Sequence, residues 1–210
     1  MEKAVTVAMI CLLATPILAG PSLNIIFGQS SGVSASLLAD VSGWNYTITD
    51  PSKTNPTIAS ARLFVGQPFT ARIIWVNDRH NLAVYAPGTP LSQVDPASPC
   101  EMTPGCIVES SVVAARSPET LLTFSMSTFG LYEYYCEFHP DTMHGKIRIL
   151  KSPDINNDKA VNILDLVIVA GVLFSTPDSP NWKPEADLNF DNVVNILDLV
   201  IVAANMFRTL

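Results

Sequence analysis

The sequence predicts a mainly β sandwich followed by a small all-α module. Two observations carry this. From Thr57 to Lys151, short runs rich in β-branched and aromatic residues are broken by Gly, Pro and Asn. After Ser152 the pattern becomes an internal repeat: "DINNDKAVNILDLVIVA" at 154–170 returns as "DLNFDNVVNILDLVIVA" at 187–203. The offset is 33 residues and the last ten residues of each copy are identical.

The chain begins "MEKAVTVAMICLLATPILAG". Lys3 precedes a mostly apolar run from Ala4 to Ala19, which reads as a signal peptide over 1–19 with a cut near Ala19. The run is short for a membrane span, and a retained anchor is the alternative. The expectation is an exported protein, secreted or at the cell surface, touching a membrane only if this segment stays. Residues 20–54 are rich in Ser, Asn, Thr and Pro and read as an extension or as early strands. Within them "NYT" makes Asn45 a candidate N-glycosylation site.

Residues 55–151 supply the sandwich, with "IASARLFV", "FTARIIWV", "NLAVYA", "LLTFSMST", "LYEYYCEF" and "GKIRIL" as its strand runs. The segment 87–118 holds six of the sixteen prolines and reads as long loops. Inside it, Cys100 and Cys106 in "SPCEMTPGC" are candidates for a small disulfide loop, two unpaired thiols being the alternative. Cys136 is then the odd cysteine. The net charge of -7 argues against nucleic acid and anionic membranes as partners and suits cations.

The segment "YYCEFHPDTMHG" places Cys136, His139, Met143 and His144 close together, although the chain has only three histidines. A thiolate, an imidazole and a thioether are soft or borderline ligands. Two His and one Cys with a weak axial Met form a blue-copper set. The missing imidazole must come from His80 in "WVNDRHNLAV", which follows another β run. Zinc fits less well, because a thioether is a poor ligand for it.

This region resembles a cupredoxin. The upstream "HN", the Cys-x-x-His loop with a following Met, and the lead-in "GLYEYYCEFHPDTM" carry the resemblance over roughly residues 55 to 151. It implies a Greek-key β-sandwich and one copper ion held by His80, Cys136, His139 and Met143. It also implies that Asn81 ties the two ligand loops together and that electrons pass through the edge of His139. Phe138, Tyr134 and Pro140 are candidates for the apolar shell. Three residues separate His139 from Met143, where members commonly have two or four, and His144 stands beside Met143 as a competing ligand.

The repeat places oxygen ligands at loop positions 1, 3, 5, 9 and 12: Asp154, Asn156, Asp158, Asn162 and Asp165, then Asp187, Asn189, Asp191, Asn195 and Asp198. Position 7 offers a backbone carbonyl, from Ala160 and Val193. This is EF-hand spacing, and it predicts two calcium ions. "ILDLVIVA" alone reads as strand, but the loop context predicts a helix after each loop. The Asp at position 12, the Asn at position 9 and the two-copy array resemble a dockerin over 152–210. The usual Gly at position 6 is replaced by Lys159 and Asn192. The resemblance implies a cohesin-like scaffold as partner. Ile163, Leu164, Ile196 and Leu197 stand where members often carry polar recognition residues, so packing on the chain's own sandwich is the other reading.

Together these features predict an exported mononuclear type 1 copper protein that transfers one electron at a time. The redox partner is not identified by the sequence. Storage or delivery of copper without redox turnover is the alternative. Three histidines cannot build a multicopper oxidase cluster, and the ligand loop lacks the second cysteine of a dinuclear site, so an electron carrier or metal-binding protein is expected rather than an enzyme.

Overall fold

The computed structural model describes residues 33–40, 43–45, 57–95 and 98–210. The expected signal peptide at 1–19 lies outside them, as does most of 20–54. Asn45 is described only as the last residue of a strand.

Among the described residues, nine strands form two facing sheets. They are β1 (Val33–Asp40), β2 (Gly43–Asn45), β3 (Thr57–Ile58), β4 (Phe69–Trp75), β5 (Ala83–Tyr85), β6 (Cys106–Glu109), β7 (Glu119–Phe124), β8 (Gly130–Tyr135) and β9 (His144–Ile149). One sheet runs β2-β1-β4-β7 and the other β3-β9-β8-β5-β6. Strands β1 and β4 are parallel, as are β3 and β9, and the remaining neighbours are antiparallel.

Alternation explains the layers. Along β4, Phe69, Ala71 and Ile73 are buried while Arg72 between them is exposed. They meet Tyr132, Tyr134, Ile147 and Ile149 from β8 and β9 in one core. Burying each such large apolar side chain contributes about 1.5–3 kcal/mol before entropy is counted. Gly145 of β9 lies against the Tyr134 ring, where any Cβ would collide with it.

Two local expectations are corrected. The stretch 87–118, read as loops, contains β6, whose Ile107 and Val108 favour a strand and which pairs with β5 as an edge. The run "IASARLFV" is strand only at its first residue, Ile58, the last of β3, and it then turns through a hydrogen bond from Leu63 N to Ser60 O of 3.1 Å. Residues 33–40 form a full strand beside β4, which is the early-strand reading of that stretch.

Helices α1 (Ile163–Gly171) and α2 (Ile196–Ala204) follow, one per repeat, as the loop context predicts. Each begins with a capping box: the Asn162 or Asn195 side chain caps the first turn, and Asp165 or Asp198 bonds back to the cap backbone. This local chemistry overrides the strand preference of a Val- and Ile-rich run. The helices pack around Val169, Val172, Val194 and Val202. Phe64 and Leu150 of the sandwich enter the same cluster, so the module packs on its own sandwich. Among the described residues, no helix is long and apolar enough to cross a membrane.

Candidate metal centre

Two strand ends build the first site. The loop after β4 carries Asp78, His80 and Asn81. His80 is pinned by paired backbone hydrogen bonds with Val113, of 3.1 and 2.7 Å. Strand β8 runs directly into Cys136, and the loop from Cys136 to Met143 returns into β9. Cys136 N donates to Met143 O at 2.8 Å, and Met143 N to His139 O at 2.8 Å, so the ligand loop is closed on itself.

The result gathers the residues that were 56 positions apart in sequence. Cys136 Sγ lies 3.6 Å from His80 Nδ1 and 3.7 Å from His139 Nδ1. These ligating atoms all lie within 4.8 Å of one another. Two ligands about 2.0–2.3 Å from a shared ion, at an angle between tetrahedral and trigonal, stand about 3.6–3.8 Å apart. The two nitrogens and one sulfur therefore fit a single metal ion. His80 and Cys136 are fully buried.

Both rings present the correct nitrogen. His80 Nε2 faces the Asn77 carbonyl at 2.5 Å, and His139 Nε2 faces Asp78 Oδ2 at 3.2 Å. Each of these oxygens only accepts, so each Nε2 carries the proton and each Nδ1 offers its lone pair toward sulfur. Asp78 is itself held, by Arg79 N to Oδ1 at 2.7 Å and by Trp75 Nε1 to its carbonyl at 2.5 Å. The Arg79 N–H, and then His139, hold its carboxyl below the usual range.

Burial pushes the Cys136 thiol up, against backbone N–H groups of Asn81, Phe138 and His139 that lower it. A metal ion at the sulfur reverses that balance and favours the thiolate. Met143 is fully buried in the sandwich core beside this loop, while the rival His144 is exposed on β9. Tyr134 is fully buried and Phe138 packs on the core, with the Arg79 guanidinium 5.0 Å from its ring centroid. Pro140 is partly exposed.

Asn81 does link the loops. Its Oδ1 accepts from Glu137 N at 3.0 Å and its Nδ2 donates to Glu137 Oε2 at 2.5 Å. Both contacts are with Glu137, a residue that the sequence did not single out. Glu137 is 2% exposed and also accepts from Tyr85 OH at 2.6 Å. Burial pushes its carboxyl upward despite those donors. Asp78 was missed as well. The available signals were an acid two residues before His80 and an acid directly after the ligand Cys.

Cys100 and Cys106 form a disulfide, which leaves Cys136 as a free, buried thiol among the described residues.

The two repeat loops have matching internal bonds. Asp154 accepts from Asp158 N and Lys159 N at 3.1 and 2.9 Å, and Asp187 accepts from Asp191 N and Asn192 N at 3.1 Å each. Asp158 and Asp191 accept from the N–H of position 7, Ala160 and Val193, at 2.9 Å. Asn156 and Asn189 bond the position-5 backbone, and Asn162 and Asn195 donate to the Ala160 and Val193 carbonyls. Asp165 and Asp198 each accept three backbone N–H groups and are fully buried. Burial, with Asp187 nearby, pushes Asp198 upward. Two buried carboxylates per loop, Asp154 and Asp165, then Asp187 and Asp198, set among Asn side-chain and backbone oxygens of the same loop, fit a hard cation. Lys159 and Asn192 take positive φ, 70° and 67°, as the sharp turn at position 6 requires.

Residues 152–206 match the model of the Dockerin type I domain. No curated protein matches the chain. Among solved structures, it is similar to a dithionite-reduced auracyanin from Roseiflexus castenholzii, at 15% identity and a TM-score of 0.41, covering 57% of this chain and 98% of that one. It is also similar to auracyanin A, a blue copper protein from Chloroflexus aurantiacus, at 19% identity and a TM-score of 0.39, covering 56% and 98%. A rusticyanin variant aligns at 21% identity and a TM-score of 0.40, covering 57% and 78%. Two acidic loops that each cap a short apolar helix, repeated in register over the matched residues, make the C-terminal part of this chain a dockerin type I domain.

Proposed function

We propose that this chain is an exported mononuclear type 1 copper protein that carries single electrons and is assembled through its calcium-dependent dockerin domain. The observation that carries this reading is the convergence of His80 Nδ1, His139 Nδ1 and Cys136 Sγ within 4.8 Å. His80, Cys136 and His139 would hold one copper ion, with the Met143 thioether as a further, weaker ligand. Copper bound there supplies reversible one-electron chemistry.

The chain's own part is to keep that chemistry small in motion. Asn77 and Asp78 fix the two imidazoles, and Asn81 fixes the sulfur loop through Glu137. The closed loop from Cys136 to Met143 resists rearrangement when charge changes. His139, the more exposed imidazole with its side chain 22% exposed, is the port for electrons. In the C-terminal domain, Asp154, Asn156, Asp158, Ala160, Asn162 and Asp165 take one calcium ion. Asp187, Asn189, Asp191, Val193, Asn195 and Asp198 take a second. A cohesin-like scaffold is the partner class, and the exposed Ile163, Leu164, Ile196 and Leu197 suit an apolar docking face. An N-terminal signal over 1–19 directs export, and the copper domain proper spans 55–151 together with the strands before it.

Redox cycling tests the reading. Copper-loaded protein should lose its visible colour on adding dithionite and recover it on reoxidation, repeatedly and without metal loss. A protein that retains only Cu(I) and never takes up Cu(II) is a carrier of copper rather than of electrons.

A further inference from the structure

The two repeats share thirteen of the seventeen residues at 154–170 and 187–203, and both put apolar side chains into the cluster with Phe64 and Leu150, but the second adds polar and aromatic contacts to the sandwich. Position 4 of the first loop is Asn157, with φ 59°, a residue that tolerates the left-handed region. Position 4 of the second loop is Phe190, with φ 51°. A bulky residue there is strained, so something must hold it. Its ring lies 5.6 Å from that of Phe129, and the Arg148 guanidinium sits 5.3 Å from its centroid.

Neighbouring contacts share the same pattern. Arg148 Nη1 donates to the Asn189 carbonyl at 3.4 Å, and Lys151 N donates to the Leu188 carbonyl at 3.0 Å. Beyond α2, Asn205 Nδ2 donates to the Ala61 carbonyl at 2.7 Å and Arg208 reaches Gln67 at 2.5 Å. The first repeat has Val172 and Ser175 at the positions of Asn205 and Arg208. Three positions at which the second copy departs from the first, Phe190, Asn205 and Arg208, each make a side-chain contact with the sandwich.

The docked strand matters. Phe129 immediately precedes β8, and Arg148 lies on β9, with Leu131 and Arg148 in register at one end of this hairpin. At the other end, Tyr135 pairs with His144, directly beside Cys136 and Met143. The two ends are roughly 14 Å apart along the strand.

We propose that the second calcium loop is a calcium-dependent clamp on the β8–β9 hairpin that carries the copper ligand loop. The inference rests on the calcium reading above. Asp187, Asn189 and Asp191 flank Phe190, so fixing these oxygens also fixes the backbone that presents Phe190 and the Asn189 carbonyl to the hairpin. Without a cation, the buried carboxylates of Asp187 and Asp198 face each other's charge uncompensated and the presenting loop loosens. Linkage then works in both directions: calcium protects the hairpin, and docking tightens calcium at this loop by the same factor.

The test uses the full chain at fixed copper loading, with calcium alone as the probe. Hydrogen exchange is followed at the β8 and β9 amides with calcium and with chelator, and calcium affinity is measured by titration calorimetry. Calcium should slow exchange in the hairpin by roughly tenfold. Phe190→Asn copies the first loop, so it should keep both calcium sites. It should cut the exchange effect to less than twofold and weaken one calcium site by roughly the lost factor. Phe129→Ala, on the sandwich side, should do the same without touching the loop. Absence of calcium uptake overturns both the calcium reading and the clamp. Uptake with no change in hairpin exchange, or an undiminished effect in both variants, overturns the clamp alone.

Discussion

The carboxylate of Asp78 stands 3.2 Å from His139 Nε2, so the imidazole offered as the electron port is held from behind by an acid of the other ligand loop. This contact bridges the turn after β4 and the loop after β8. It fixes both the ring plane and the tautomer of His139. Outer contacts of this kind typically change metal affinity by about 10–100-fold. Asp78→Ala should therefore weaken copper binding within that range in a competition titration, and Asp78→Asn should weaken it less, because its amide oxygen still accepts. Equal affinity in Asp78→Ala and wild type would show that the loop backbone alone orients His139.

Met143 is fully buried, so Leu fits its place with little loss of packing. A weak axial thioether tunes the redox potential rather than holding the metal. Met143→Leu should keep copper and shift the potential, measured by protein-film voltammetry. Complete loss of copper would make Met143 a principal ligand.

Glu137 gives a pH signature. Burial pushes it above its ordinary value of 4.5, so the folded chain holds this proton more tightly than the unfolded chain. Its contribution to stability is fully present below 4.5 and is lost as pH rises through the raised folded value. The copper-free protein should lose up to about 1.4 kcal/mol per pH unit across that window from this one group. Glu137→Gln should remove this part of the slope in denaturant titrations at several pH values. Parallel profiles for the two proteins would contradict it.

Much of this was legible in the sequence because it rests on local chemistry. Each residue of the Cys136–Met143 loop lies within a few positions of the next, and the repeat announces both acidic loops and both helices. Asn81 was legible only through resemblance, since its partner is 56 residues away. Three things were hidden, each because tertiary pairing decides it. Strand β1 is stabilised by seven register pairs with β4 that its own weak periodicity does not reveal. Strand β6 lies in a proline-rich segment and exists because β5 offers it an edge. Asp78 and Glu137 look like surface acids until the two loops meet and enclose Glu137.

Calcium should control the C-terminal helices. Each loop brings two buried carboxylates together with Asn and backbone oxygens, and a site absent from the unfolded chain turns binding into folding free energy. At about 100 times the dissociation constant, one site adds roughly 2.7 kcal/mol. Chelator should lower the helical circular dichroism of the full chain, and calcium should restore it. Asp187→Ala and Asp154→Ala should each blunt the response. The second should do so less, because Lys159 tolerates its left-handed turn at φ 70° less well than Asn192 tolerates 67°, which leaves the first site weaker from the start. Helicity indifferent to calcium would contradict the paired-site reading.

The central claim is that Cys136 Sγ binds copper between His80 and His139. The most direct test is the visible and EPR spectrum of the Cu(II)-loaded protein beside its Cys136→Ser variant. The account predicts an intense thiolate-to-copper band with a type 1 EPR signal in the wild type, and neither in a folded Cys136→Ser. A wild type without that band, or a band that survives Cys136→Ser, would contradict it.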